Sequence, residues 1–203
     1  FDAGQMALGY REAGLKVWSK DNSSPVTDAD LAVDAFLKER LLSARPDYGW
    51  LSEETADNTD RLSKKRIFVV DPIDGTTAFM KNKPWWCTPI AVVEDGEPVA
   101  AAIYAPALGE MFEATLGGGA RLQGRPITAS DTQELEEAEL LADARLMEAR
   151  EWAEPWPHMN FSKRNALAYR MALVAAGAFD AAIAISPKWD WDVCAGSLIA
   201  QEA

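Results

Sequence analysis

The sequence is short of cysteine, of histidine and of positive charge. Its 203 residues hold two cysteines and one histidine. Cys87 and Cys194 stand far apart in apolar or small-residue surroundings, without Cys-x-x-Cys spacing, so the sequence implies buried free thiols in a reducing compartment and no disulfide framework. Lys and Arg total 20 against 32 Asp and Glu, a net charge of −12. That balance argues against nucleic-acid polymers and anionic membranes as partners. No signal peptide and no long uncharged apolar run appears, and a cytoplasmic protein is expected, although a chain that starts at Phe1 leaves a leader open. With 48% apolar and 26% charged residues, the composition is that of a globular protein able to bury a sizeable core, as one domain or two closely packed subdomains.

What is present is concentrated in Ile67-Phe68-Val69-Val70-Asp71-Pro72-Ile73-Asp74-Gly75-Thr76-Thr77. Four apolar, mostly β-branched residues before a proline predict a buried strand ending at Asp71, because the residue preceding proline is driven to extended geometry. Pro72 fixes the next φ, so Asp71 and Asp74 become two rigidly spaced carboxylates with the Ile73 carbonyl between them. Gly75 permits a tight turn, and Thr76 and Thr77 open a short helix whose amides suit a phosphate. Hard oxygen ligands beside phosphate-binding amides are the ingredients of Mg²⁺-assisted phosphoryl transfer. The bare Asp-Pro-x-Asp-Gly segment would also serve as an ordinary surface turn.

The complete Asp-Pro-Ile-Asp-Gly-Thr-Thr after an apolar strand is more specific. It resembles the signature of the inositol monophosphatase superfamily of lithium-sensitive, magnesium-dependent phosphatases. A second match lies at Trp191-Asp192-Val193-Cys194-Ala195-Gly196, before an apolar helix ending in Gln201-Glu202-Ala203. The fold implied is α/β in layers, an α-β-α-β-α sandwich of the inositol monophosphatase and fructose-1,6-bisphosphatase type. Relatives continue past Ala203 with a further strand and helix, so the C-terminal sheet is expected to be incomplete.

Along the chain, apolar residues from Phe1 to about Trp18 recur at helical spacing, and Lys20 to Pro25 form a polar loop. Thr27 and Asp30 are spaced as a capping box opening the next helix. Trp50 to Ser52 form a short strand ending in Glu53 and Glu54, adjacent acids that need a cation or solvent beside them. Thr55 to Lys65 read as a polar loop. Short apolar runs from Cys87 to Gln123, separated by Gly and Pro turns, predict an antiparallel meander, with Gly117-Gly118-Gly119 as one turn and Trp85 and Trp86 read as core or lid packing, with stacking on a base as the alternative. The polar stretch 130–138 divides an N-terminal portion, residues 1–130, from a C-terminal α/β portion, residues 131–203. The latter is read as a strand near Leu140 to Ala142, a helix from about Arg145 to Trp152, a helix from Asn165 to Gly177 and a buried strand from Phe179 to Ile185. His158 has no evident partner and reads as a surface residue.

The resemblance implies metal ligation by Glu53, Asp71, the Ile73 carbonyl, Asp74 and Asp192, with two or three Mg²⁺ ions and Mn²⁺ as a substitute. It implies catalytic roles for Asp28, Glu53 and Thr76 around the attacking water, and phosphate contacts from the Gly75 and Thr76 amides. Ser24-Pro25-Val26-Thr27 and Lys188 look like the 3′(2′),5′-bisphosphate nucleotidase branch, with Lys188 placed for a second phosphate. A 3′-phosphoadenosine 5′-phosphate phosphatase is therefore the leading expectation. An inositol or other sugar-phosphate phosphatase is the alternative, and a non-catalytic phosphate- or metal-binding protein the reading from another class. The partner expected is a small phosphorylated substrate, and a homodimer is the form common among relatives.

Overall fold

A computed structural model describes residues 1–20, 24–143, 145 and 152–203. Helix α1 (Asp2–Ala13) buries Ala3, Gly4 and Ala7. Gly4 has a steric reason: a Cβ there would fall 2.5 Å from Pro106 Cγ and 2.6 Å from the Tyr104 ring. The helix stops before Gly14, and Val17–Ser19 (β1) pair antiparallel with Pro25–Thr27 (β2). The helix expected through Trp18 is thus shorter, and its last residues form a hairpin arm. β-branched Val17 and bulky Trp18 beyond a glycine fit an extended arm. Thr27 caps α2 (Asp28–Ala44) with the predicted capping box, since Asp30 Oδ2 accepts from the Thr27 amide at 2.8 Å.

The central layer is a seven-stranded sheet in the order β3-β4-β5-β6-β7-β8-β9. Its strands are β3 (Gly49–Ser52), β4 (Arg66–Val70), β5 (Thr88–Glu94), β6 (Glu97–Ala105), β7 (Glu110–Thr115), β8 (Gly119–Leu122) and β9 (Arg125–Pro126). β3 runs parallel to β4, and every later pairing is antiparallel, as the meander predicted. A 3-10 helix, Thr59–Ser63, interrupts the loop between β3 and β4. Side chains of β4 alternate between the two faces. Phe68 and Val70 join the core under α1 and α2, which also holds Val33, Trp50, Phe79 and Trp86. Val69 joins the opposite core, with Ile103, Phe112, Tyr169, Leu198 and Ile199. Trp86 is fully buried and meets Phe79 edge-on at 4.7 Å, which bears out the packing expectation.

That second core lies under α4 (Leu167–Ala175) and α5 (Asp190–Glu202). Beyond them lies a parallel sheet in the order β11-β10-β12, made of Glu139–Leu141 (β10), Asn160–Ser162 (β11) and Ala181–Ala182 (β12). The strand expected over Phe179 to Ile185 is only two residues long and half-buried. Among the described residues it pairs with β10 alone, and residues 184–190 are exposed. The helix expected from Arg145 to Trp152 falls almost wholly outside the described residues. No described helix is long and apolar enough to cross a membrane.

Burial pushes the Cys87 thiol far above its ordinary pKa and the Cys194 thiol up to about 11. At pH 8 the folded protein should take up an alkylating reagent far more slowly than the denatured chain, with Cys87 the slower of the two. Peptide mass spectrometry reads this directly, and fast labelling of native Cys87 would contradict the packing.

Candidate active site

The site is assembled from the ends of separate elements. Past β4, Asp71 is 2% exposed, and its Oδ1 accepts from the Ile73 amide at 2.9 Å. This closes a side-chain turn of the kind Asp favours. The Thr88 hydroxyl donates to the Pro72 carbonyl at 2.8 Å and pins the same turn to β5. Asp74 is 8% exposed, and its Oδ2 accepts from the Ala168 amide at the start of α4, 2.7 Å away. Gly75 takes φ 92, and a Cβ there would sit 3.1 Å from both Ala166 Cβ and the Trp85 carbonyl. Only glycine fits. It is the N-terminal cap of α3 (Thr76–Met80), as expected for a turn into a short helix.

At the end of β3, Glu53 and Glu54 share one cation: Lys20 Nζ stands 2.8 Å from Glu53 and 2.6 Å from Glu54. Lys20 extends from the β1–β2 hairpin and answers the sequence's demand for a charge beside the paired acids. The demand was legible, but the lysine supplying it was not, because it lies in a different element. Asp192 stands in the first turn of α5 and accepts from the Trp189 amide at 2.8 Å. Lys188 is exposed, with its Nζ on Ser186 Oγ at 2.9 Å, and its charge only partly offsets the burial that raises the Asp192 pKa.

The structure does not bring Asp28 into this group. Its carboxylate accepts from the Lys16 amide at 3.1 Å, on the hairpin side. Asp30, 1% exposed, takes the inner position and accepts from the Thr76 hydroxyl at 3.5 Å, while Thr76 also donates to the Ile73 carbonyl at 3.2 Å. Two residues along a helix rotate a side chain by more than half a turn, which decides between the two acids. The capping box was a signal for Asp30, because a residue bonded back over the helix start points inward there.

Electrostatics tie these acids into one cluster. Complete burial pushes Asp71 well above the carboxylate range, and the charges of Glu53, Asp74, Asp192 and Asp30 push it further. Burial raises Asp74 to about 7 despite the Ala168 and Leu167 amides. Burial also raises Glu54 to about 7 against the pull of Lys20, and it raises Asp30 and Asp192. Neither Asp71 nor Asp74 has an ion pair among the described residues. Buried, unpaired hard-oxygen donors of this kind fit a divalent cation. The carboxylates are not closed into one tight sphere. Among the described residues the one His, Cys, Asp or Glu group with ligand atoms all within 4.8 Å is Glu136, Glu137 and His158, exposed and away from these acids. His158, expected to lack a partner, pairs with Glu137 at 3.2 Å.

A layered α/β fold with buried carboxylates on an Asp-Pro-Ile-Asp-Gly-Thr turn defines a metal-dependent phosphatase class. Residues 1–203 match the inositol monophosphatase family, and the chain belongs to that family of phosphoric monoester hydrolases. It is 33% identical over 217 residues to an inositol monophosphatase of Dictyostelium discoideum, covering 100% of this chain and 78% of that protein. It is 33% identical over 204 residues to a histidinol-phosphatase of Mycobacterium tuberculosis, covering 93% of this chain and 75% of that protein. The crystal structure of the suppressor protein suhB from Bartonella henselae superposes with a TM-score of 0.84 at 29% identity, covering 100% of this chain and 81% of that one.

Asp74 and Glu54 bind protons more tightly folded than unfolded, so the stability they contribute is fully present below about pH 4. It is lost as pH rises through about 7. In chelator, therefore, the melting temperature should fall from pH 5.5 to pH 8, and added Mg²⁺ should restore most of the loss. Asp71→Asn removes an acid that must be buried either charged or protonated against its ordinary pKa. It should raise the chelated melting temperature by about 2–4 °C while abolishing the Mg²⁺ increment. Scanning calorimetry with and without metal checks both, and an undiminished Mg²⁺ increment in Asp71→Asn would remove Asp71 from the ligand set.

Proposed function

We propose that this chain is a Mg²⁺-dependent, lithium-sensitive phosphomonoesterase acting on 3′-phosphoadenosine 5′-phosphate. The observation that carries the phosphatase reading is the burial of Asp71 and Asp74 without an ion pair among the described residues, within reach of the charges of Glu53 and Asp192 from other elements. Glu53, Asp71, the Ile73 carbonyl, Asp74 and Asp192 would hold the cations. Bound there, Mg²⁺ would supply Lewis acidity, making water a stronger nucleophile and offsetting charge on the phosphate.

The chain's own groups do the rest. The single Thr76 hydroxyl proton is shared between Asp30 and the Ile73 carbonyl, which leaves the oxygen's lone pairs free to accept from an attacking water. Asp30 takes the role first assigned to Asp28, that of the acid behind the water-orienting threonine. Glu53, held by Lys20, would accept a proton from that water. The Gly75 and Thr76 amides stand at the open end of α3, where phosphate oxygens are favoured. Lys188, exposed beside Asp192, would meet a second phosphate. The substrate choice rests on Lys188 and on the Ser24-Pro25-Val26-Thr27 resemblance. The Dictyostelium relative supports an inositol phosphatase as the second reading. A cytoplasmic location goes with either substrate.

Phosphate release from 3′-phosphoadenosine 5′-phosphate and inositol 1-phosphate, measured in parallel with Mg²⁺ and with or without Li⁺, tests the assignment. Preference for the nucleotide with lithium inhibition is the expected result. Preference for the inositol ester would move the substrate to the second reading, and no release from any phosphate ester would leave a binding protein. Asp74→Asn should abolish turnover in a folded protein. Asp30→Asn should lower kcat by about 10²–10⁴-fold. Asp28→Asn should stay near wild type, and the reverse order of these last two would restore Asp28 to the site.

A further inference from the structure

Two indoles flank the start of α5. Trp189 caps the helix and Trp191 is its second residue. Their ring centroids lie 5.3 Å apart with planes inclined by only 16°, a stacked pair. The two rings have different surroundings. Trp191 packs against the core under α4 and α5, whereas Trp189 is 65% exposed. One indole is therefore anchored, and the other is laid over it with its outer surface presented to solvent. Burial gives the outer ring little reason to be there, since a large aromatic stabilises a fold by leaving water.

Its position does supply a reason. The Trp189 amide donates to Asp192 Oδ2 at 2.8 Å, so the residue is tied by its backbone to the carboxylate cluster. Lys188 precedes it with an exposed ammonium. The indole and the cation are thus the two exposed groups that directly precede the helix start carrying Asp192. A phosphate ester seated at the carboxylates and reaching outward would lay its alcohol portion beside that indole. In a chain of net charge −12, a neutral π surface binds a flat ring without needing an opposite charge. Trp191 stacked behind Trp189 limits its rotamers, so less side-chain freedom is lost on binding.

We propose that Trp189, backed by Trp191, is a stacking platform for a planar heteroaromatic ring carried by the substrate, a nucleobase or an imidazole, and that it selects ring-bearing phosphate esters over saturated polyol phosphates. The inference rests on the phosphatase reading and deepens it. Ring-on-indole stacking is sequence-tolerant and strong enough to govern selection between esters.

The test compares kcat/KM for 3′-phosphoadenosine 5′-phosphate, histidinol phosphate and inositol 1-phosphate in the wild type, Trp189→Ala and Trp189→Phe, with Mg²⁺ throughout. In Trp189→Ala the ratio of ring-bearing to ring-free kcat/KM should fall about 5- to 100-fold, mostly through KM. Trp189→Phe should recover most of it, and the ester showing the larger fall identifies the ring as nucleobase or imidazole. An unchanged ratio, or equal losses on all three esters, would overturn the platform. Calorimetric titration with adenosine 5′-phosphate and with imidazole, in folded protein of matched melting temperature, gives a readout independent of turnover. Should no ester be hydrolysed, the phosphatase reading falls. Titration then decides the platform alone: ring binding that Trp189→Ala removes sustains it, and ring binding that is absent or unaffected overturns it.

Discussion

Asp71 and Asp74 leave β4 and enter the protein interior without an ion pair among the described residues, and much of the architecture around them holds like charges together in low dielectric. Burying one unpaired carboxylate costs several kcal/mol, so the surrounding framework has to be stiff. It is stiff here in specific ways. Pro72 sets φ, Thr88 pins the turn from β5, Gly75 admits a conformation that a side chain would block, and the first amide contacts of α4 hold Asp74. Each device also limits how far the acids can recoil from one another. A bound cation would relieve that mutual repulsion.

The last acid reaches the cluster on a long lever. Asp192 lies in the first turn of α5, and that helix is held at its far end as well, where the Glu202 carboxylate accepts from the Gly117 and Gly119 amides at 2.8 and 2.9 Å. Gly117-Gly118-Gly119 is the turn that the sequence suggested. The structure adds that its amides form a concave donor set for an anion, and that the anion is the chain's own. With one end capped through Trp189 and the other clasped to the meander, α5 sits in a fixed place over the seven-stranded sheet.

Local signals were the legible ones. The strand into Asp71, the meander, the helix after Gly75 and the capping box at Thr27 are each fixed by residues adjacent in sequence, and all four are present. What could not be read depends on contacts across the chain. Lys20 belongs to Glu53 and Glu54 only once the hairpin folds back over β3. Val17 and Trp18 continue the helical apolar spacing, yet they pair with β2 because Gly14 ends the helix first. The strand after Phe179 reads as buried from composition, but burial is set by its neighbours, and among the described residues β12 has only β10 beside it.

Asp28 and Asp30 show the same limit at one position. Both lie in the first turn of α2, both favour that turn through the helix dipole, and composition cannot separate them. The separation comes from the hairpin, which takes Asp28 through the Lys16 amide, and from Thr27, whose amide and hydroxyl draw Asp30 back over the helix start towards Thr76. A residue's place in the site therefore follows from which partner claims it first. The same reasoning runs outward to the last signature. Asp192 is claimed by the inner cluster and Trp191 by the core. Trp189 is left facing solvent with its neighbours Lys188 and Asp190, so the groups that would distinguish one substrate from another lie at the rim rather than among the buried acids.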